Sequence, residues 1–212
     1  MAPAYDELRI LLTAYVQSWG GELSISKIKA CLQLVSTEQV CHLLTTVENV
    51  FGYTAIHIAA INDHPEVITS LLDSLTAEQK YQLLMISGVF RKTPLHLAAS
   101  AGRTVAAMCI CNLVTTEQRY HLLTIQTVSG CTPLHFAARK GHIQIITHIL
   151  DSVEPAQQIQ LLDITDSYNR TVLESALQKN NQSTADLIKQ YRSKAVIQRQ
   201  KNPAHGKNSY YG

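Results

Sequence analysis

From Tyr5 to Trp19, the apolar residues Leu8, Leu11, Leu12, Tyr15 and Trp19 fall three and four positions apart, so they line one side of a helix. Gly20-Gly21 ends it. Ile28, Cys31, Leu32 and Val35 repeat the spacing and predict a second helix over about 26–35. Beyond this point the pattern acquires a longer period. Thr132-Pro133-Leu134-His135-Phe136-Ala137-Ala138 is preceded 39 residues earlier by Thr93-Pro94-Leu95-His96-Leu97-Ala98-Ala99, and 39 before that by Thr54-Ala55-Ile56-His57-Ile58-Ala59-Ala60. A worn copy, Thr171-Val172-Leu173-Glu174-Ser175-Ala176, follows at the same interval. Equal spacing of matching heptamers makes the chain a repeat array.

Each heptamer opens a helix: its threonine can cap, proline fits the first turn without losing a needed donor, and the alanine pair permits close helix approach. A reversal is predicted at Asp63, Gly102, Gly141 and Asn180, residue types that tolerate a left-handed backbone. Second helices follow, marked by Val67, Ile68, Leu71 and Leu72, by Val105, Met108, Cys109 and Leu113, and by Ile145, Ile146, Ile149 and Leu150. Ser36, Thr76 and Thr115 each stand three residues before a glutamine, the spacing of a capping box, and Pro155 opens the fourth such segment. Leucine pairs at 43 and 44, 83 and 84, 122 and 123, and 161 and 162 close these segments. They predict a short third helix in every unit.

Composition adds little to the fold and more to the chemistry. With 46% hydrophobic and only 16% charged residues, the 212-residue chain suits stacked helices, each unit burying its face on its neighbours. No apolar run approaches the roughly 20 residues that span a bilayer. Asp6, Glu7 and Arg9 occupy the start, so neither a membrane span nor a secretory signal is predicted. The five cysteines lack the paired spacing of a disulfide framework or a zinc site, which places the protein in a reducing compartment, cytoplasmic with a nuclear address as the alternative. Residues 1–188 hold 12 Lys or Arg against 16 Asp or Glu, a net of −4, whereas Lys189, Arg192, Lys194, Arg199, Lys201 and Lys207 make the end basic.

The sequence T-P-L-H-x-A-A, a glycine turn and a V/I-x-x-L-L helix resemble the ankyrin repeat. The resemblance covers residues 52–190 and, more faintly, 5–51. It implies an all-α ankyrin-repeat solenoid of stacked helix-turn-helix units, here with an additional short helix per repeat. The common repeat has about 33 residues, and the extra length falls where the capped third helix sits. The expected organisation is a degenerate N-terminal capping repeat (1–51), three repeats (52–90, 91–129 and 130–168), a C-terminal capping repeat (169–194) and a flexible basic tail (195–212). The last helix is expected to reach Ile197. The recurrent His57, His96 and His135 are, by the same resemblance, hydrogen-bonding groups that hold neighbouring units together.

No phosphate-binding glycine loop, metalloprotease or nucleophile-elbow pattern occurs in the sequence. Cys131 and His135 lie four apart, but Cys131 precedes the capping Thr132 and no orienting partner is evident. The chain is read as non-enzymatic, with no catalytic residue, no cofactor, no metal site and no small-molecule substrate. The resemblance implies protein binding on the concave face built from turn tips and first helices. Carried over by position, the partner-binding residues are Phe51, Tyr53, Phe90, Lys92, Ser100, Arg139, Lys140, Tyr168, Arg170 and Lys179. Aromatics beside Lys and Arg favour another protein with acidic and apolar features, bound by a monomer. Two alternatives stand: nucleic-acid or acidic-partner binding led by the tail, and an effector or adaptor delivering an activity supplied by another protein.

Overall fold

The computed structural model describes residues 3–21 and 25–201. Its helices fall into three rows. First helices are α1 (Pro3–Gln17), α4 (Ala55–Asn62), α7 (Pro94–Ala101), α10 (Pro133–Lys140) and α13 (Val172–Leu177). Second helices are α2 (Ile25–Leu32), α5 (Pro65–Leu72), α8 (Thr104–Asn112), α11 (Ile143–Asp151) and α14 (Gln182–Lys201). The third row holds α3 (Thr37–Thr46), α6 (Ala77–Met85), α9 (Thr116–Thr124) and α12 (Pro155–Asp163). Successive members of each row pack side by side, and α14 also lies along α12, so its 20 residues close the third row as well as the second. The described residues contain no strand, only an isolated bridge between Glu48 and Thr54.

Local chemistry explains the boundaries. Thr54, Thr93, Thr132 and Thr171 stand in extended conformation as N-caps, and Pro94 and Pro133 occupy the first turn. First helices stop at a left-handed residue, Asp63 (φ 61°), Gly102 (φ 73°) or Gly141 (φ 77°), and Asn180 (φ 57°) lies at the equivalent place. Gly102 has a second reason, since a β-carbon there would lie 2.6 Å from the His142 ring. The capping boxes form: Gln39 Nα donates to Ser36 Oγ at 3.3 Å, and Ser36 Nα donates to Gln39 Oε1 at 3.1 Å. Thr76 with Gln79 and Thr115 with Gln118 repeat this pair of bonds. All eight residues of the leucine pairs are buried and fix the third row to the stack.

Two expectations change. In α8 the buried face is Ala106, Ala107, Ile110 and Cys111, while Val105 and Met108 are exposed. The 39-residue register governs here: these four match Val67, Ile68, Leu71 and Leu72, although two are only alanines. Of the two cysteines in α8, Cys109 is part-exposed and Cys111 faces the core, where burial pushes its thiol up to about 12. Finally, residues 195–201 are helical rather than part of a flexible tail. Ala195 is buried and Arg192 pairs with Asp163, so packing and charge carry the helix past Ile197 to Lys201. The rest of the expected tail, 202–212, lies outside the described residues. No helix among the described residues is long and apolar enough to cross a membrane.

Candidate functional site

The recurrent histidines are structural. In each of the three full heptamers, the threonine backbone N–H donates to the histidine Nδ1, at 3.3 Å for Thr54, 3.2 Å for Thr93 and 3.3 Å for Thr132. Nδ1 therefore carries no proton, and the Nε2–H donates to a carbonyl of the next unit. Those acceptors are Lys92 O (3.2 Å) for His57, Cys131 O (3.2 Å) for His96 and Arg170 O (3.1 Å) for His135, and His96 also reaches Ile125 O of its own unit at 3.1 Å. Only the neutral ring satisfies both bonds. Burial pushes His57 and His96 down to about 4, against the partial support of the carbonyl bonds, and lowers His135 as well. In the last heptamer Glu174 takes the place of histidine, its Oε2 accepting from Thr171 Nα (2.6 Å) and Oγ1 (2.9 Å). Among the described residues no repeat follows this one, and Glu174 only closes the cap.

The next-unit carbonyls belong to a series of turn tips at residues 49–53, 88–92, 127–131 and 166–170. Every tip is closed the same way: the first residue's N–H donates to the fifth residue's carbonyl, and the fourth residue's N–H donates to the first residue's carbonyl. Neighbouring tips are then joined by one bond each, Val89 to Phe51 O (2.8 Å), Val128 to Phe90 O (3.0 Å) and Ser167 to Ser129 O (3.0 Å). This row fixes the spacing of whatever the tips display.

Between the second, third and fourth tips lies an open groove of about 540 Å³ lined by Phe90, Lys92, Thr127, Val128, Ser129, Phe136, Ser167 and Tyr168. Of the residues expected to bind a partner, it brings together Phe90, Lys92 and Tyr168. Phe90 and Tyr168 are 65% and 74% exposed, far more than packing alone would leave. Arg139 stands beside the groove, its guanidinium carbon 5.9 Å from the Phe136 ring centre, with the Lys92 ammonium 5.3 Å from the same ring. Arg170 lies over the Tyr168 ring at 4.6 Å and is anchored below by Asp166. Ser100, Lys140 and Lys179 sit at or beyond the far ends of their first helices and do not line the groove; Lys140 and Lys179 are exposed.

Phe51 is exposed but turns toward the first unit, edge-on to Trp19 at 5.6 Å. Tyr53 needs correction. Its ring is buried at 8% exposure, stacked on His57 at 5.3 Å and covered by Gly88, so it packs between units and offers a partner nothing. Conversely, sequence reasoning passed over Val128, which is 65% exposed, and Phe136. Phe136 occupies the variable position of the heptamer, where Ile58 and Leu97 are buried, and its larger ring stays half-buried.

Electrostatics around the groove are uneven. Asp166 has no exposed side-chain surface, and burial opposes its charge. Donation from the Arg170 guanidinium (3.0 and 2.6 Å) and from the backbone of Arg170 and Tyr168 (3.1 and 2.9 Å) nevertheless holds it below the usual carboxylate range. Arg139 reaches the same carboxylate only at 3.5 Å, and its Nε is buried without a partner. Lys92 has no carboxylate partner among the described residues.

The third row has its own bonding. Gln118 donates to Glu78 (3.2 Å), Tyr81 meets His121, and Tyr120 donates to Gln160 (2.7 Å), linking α6, α9 and α12. Cys41 stands in the tyrosine position of α3, and an open groove of about 580 Å³ lies between α3 and α6. It contains none of the expected binding residues.

The architecture is thus a stack of helical repeats tied by buried histidines and a row of tips. The ankyrin-repeat family profile matches it in three overlapping copies, over residues 27–113, 80–160 and 108–200, and the chain belongs to the ankyrin-repeat family. Ankyrin repeats are generally protein–protein interaction modules. No individual curated protein matches the chain.

Proposed function

We propose that the chain is a non-enzymatic interaction module, acting as a monomer, that holds a protein partner with acidic and apolar features on the concave face of its tips and first helices. The observation that carries this reading is the groove at tips two to four, where exposed aromatic rings stand beside Lys92, which has no carboxylate partner among the described residues, and Arg139, which shares Asp166 with Arg170. Aromatic and cationic side chains supply most of the energy at protein interfaces. The buried histidines have both ring nitrogens engaged and are poor candidates for acid–base work. An adaptor role is compatible with this reading, since binding is what an adaptor contributes.

Tail-led binding of nucleic acid is the second reading, and it is weaker. Arg192 is held by Asp163 and Lys189 by Asp186, so part of the basic charge belongs to the helix itself. The burial of Ala195 also dictates the test, because a cut at 192 would remove packed helix. Affinity purification with mass spectrometry should compare three proteins: the full chain, a chain ending at Lys201, and the Phe90→Ala, Lys140→Ala double variant. The proposal expects the shortened chain to retain the partner and the double variant to lose most of it. The opposite pattern overturns it.

A further inference from the structure

We infer that the groove between the second and fourth tips takes a short extended segment of its partner, in which a large apolar side chain lies within two residues of a carboxylate. This rests on the reading above and narrows it to one place and one chemistry. The volume suits a few side chains, not a folded domain. Its walls are Phe90, Val128 and Tyr168, and Phe136 forms an aromatic floor, which selects an apolar side chain. Two cations within 6 Å of that floor ring then set the sign of what lies next to it.

Asp166 neutralises them only in part. Asp166 is fully engaged by Arg170 and two backbone N–H groups, leaving Arg139 a 3.5 Å contact and a buried Nε without an acceptor. A carboxylate entering from a partner would meet Lys92 and Arg139 in partly desolvated surroundings, where a charge-assisted bond is strong.

The second tip is built to present its ring. Tips one, three and four place Gly52, Gly130 and Asn169 at the left-handed fourth position, whereas this tip has Arg91 there (φ 58°) and puts Phe90 at φ 61° beside it. Two bulky residues in succession in that region are strained, and strain of this kind collects at binding sites. The Phe90 carbonyl is bonded to Val128, so the strained turn is locked against the groove it borders. A peptide fits better than nucleic acid, because Lys92 is the one basic residue in the groove's lining and no row of cations follows it that would track a phosphate backbone.

The test is selection of a random nonapeptide library on the full chain, beside parallel selections on Lys92→Glu and Phe136→Leu. Leucine is the natural residue at the matching position 97, and circular dichroism melts verify that both variants fold. The wild-type pool should be enriched in Asp or Glu within two residues of Leu, Phe or Trp. The most enriched peptide, labelled with fluorescein, should bind at least ten-fold more weakly to Lys92→Glu, and replacing its carboxylate by lysine should restore most of that loss. Phe136→Leu should weaken it several-fold.

A pool without acidic enrichment, equal binding by Lys92→Glu, or failure of the charge swap overturns the inference. So does displacement of the peptide by a ten-nucleotide oligothymidylate at comparable concentration. Should these fail while a Lys140→Ala, Lys179→Ala protein, changed only outside the groove, loses its partner, the groove is misassigned and the concave-face reading survives. If both fail, the reading itself falls.

Discussion

The second and fourth tips share one backbone pattern and reach it by opposite means. In the fourth, Asp166 gathers two backbone N–H groups and the Arg170 guanidinium, and only Asn169 is left-handed. In the second, the matching position is Gly88, because a β-carbon there would lie 2.4 Å from the Tyr53 ring and 2.8 Å from the Phe51 carbonyl. The side chain that would have organised that turn is excluded by its neighbour, and Phe90 and Arg91 absorb the conformational cost, roughly 1–3 kcal/mol each. One tip therefore spends its charge on internal bonds and adds only the Tyr168 ring to the groove, whereas the other adds both the Phe90 ring and Lys92, a cation without a carboxylate partner among the described residues. Where the fold satisfies its own charges there is little left for a partner; the proposed groove takes its free charge from where it does not.

Acid should separate the histidine-bearing units from the last, glutamate-bearing one most strongly. His57 and His96 have folded values of about 4 against about 6.5 unfolded, so the unfolded chain takes up protons first. Their contribution is complete above pH ~6.5 and disappears as pH falls toward 4, on the order of 3 kcal/mol per histidine at ~1.4 kcal/mol per pKa unit. Glu174, held below its ordinary range by the Thr171 N–H and hydroxyl, keeps its bond until the glutamate range near ~4.3 is crossed. Urea unfolding at pH 7.5 and 4.5 should show the histidine-bearing units weakening first. Equal stability at both values would contradict neutral, buried rings.

Next in size, Asp166→Ala should cost about 3 kcal/mol, since it leaves Arg139, Arg170 and two backbone donors without their acceptor. Denaturant midpoints check this. Gly88→Asn, which would give the second tip the group found at Asn49 in the first, should instead destabilise by about 1–3 kcal/mol through its clash with Tyr53. A stabilising result would mean that the two tips differ for some reason other than space. Arg91→Gly should raise the melting temperature, worth about 1 kcal/mol, by relieving a left-handed side chain. Smallest of all, Lys140→Ala should stay within about 0.5 kcal/mol in the same melts while weakening an acidic partner.

Most of the fold was legible because it is local and periodic. Threonine caps, capping boxes, left-handed reversals and leucine pairs each announce themselves within a few residues, and the interval of 39 aligns them. What escaped depended on contacts between units. Tyr53 and Phe90 look equally available in sequence, yet only the packing of Gly88 against Tyr53 decides which ring is covered. Phe136 was hidden at a position that elsewhere holds core residues, with Lys92 and Arg139 contributed from a different unit and a different turn. In α8 the size of Val105 and Met108 outweighed the register, whereas alanines suffice where helices approach closely. The length of α14 followed from the bare edge of α12, which no local pattern in residues 195–201 reveals.

Amide hydrogen exchange of the full chain, with and without the partner protein recovered by affinity purification, tests the account most directly. Binding should slow exchange at residues 88–92, 127–130 and 166–170, where the tip row borders the groove. Protection confined to the third-row helices α3 and α6, or to α14, with these turns unchanged, would contradict it.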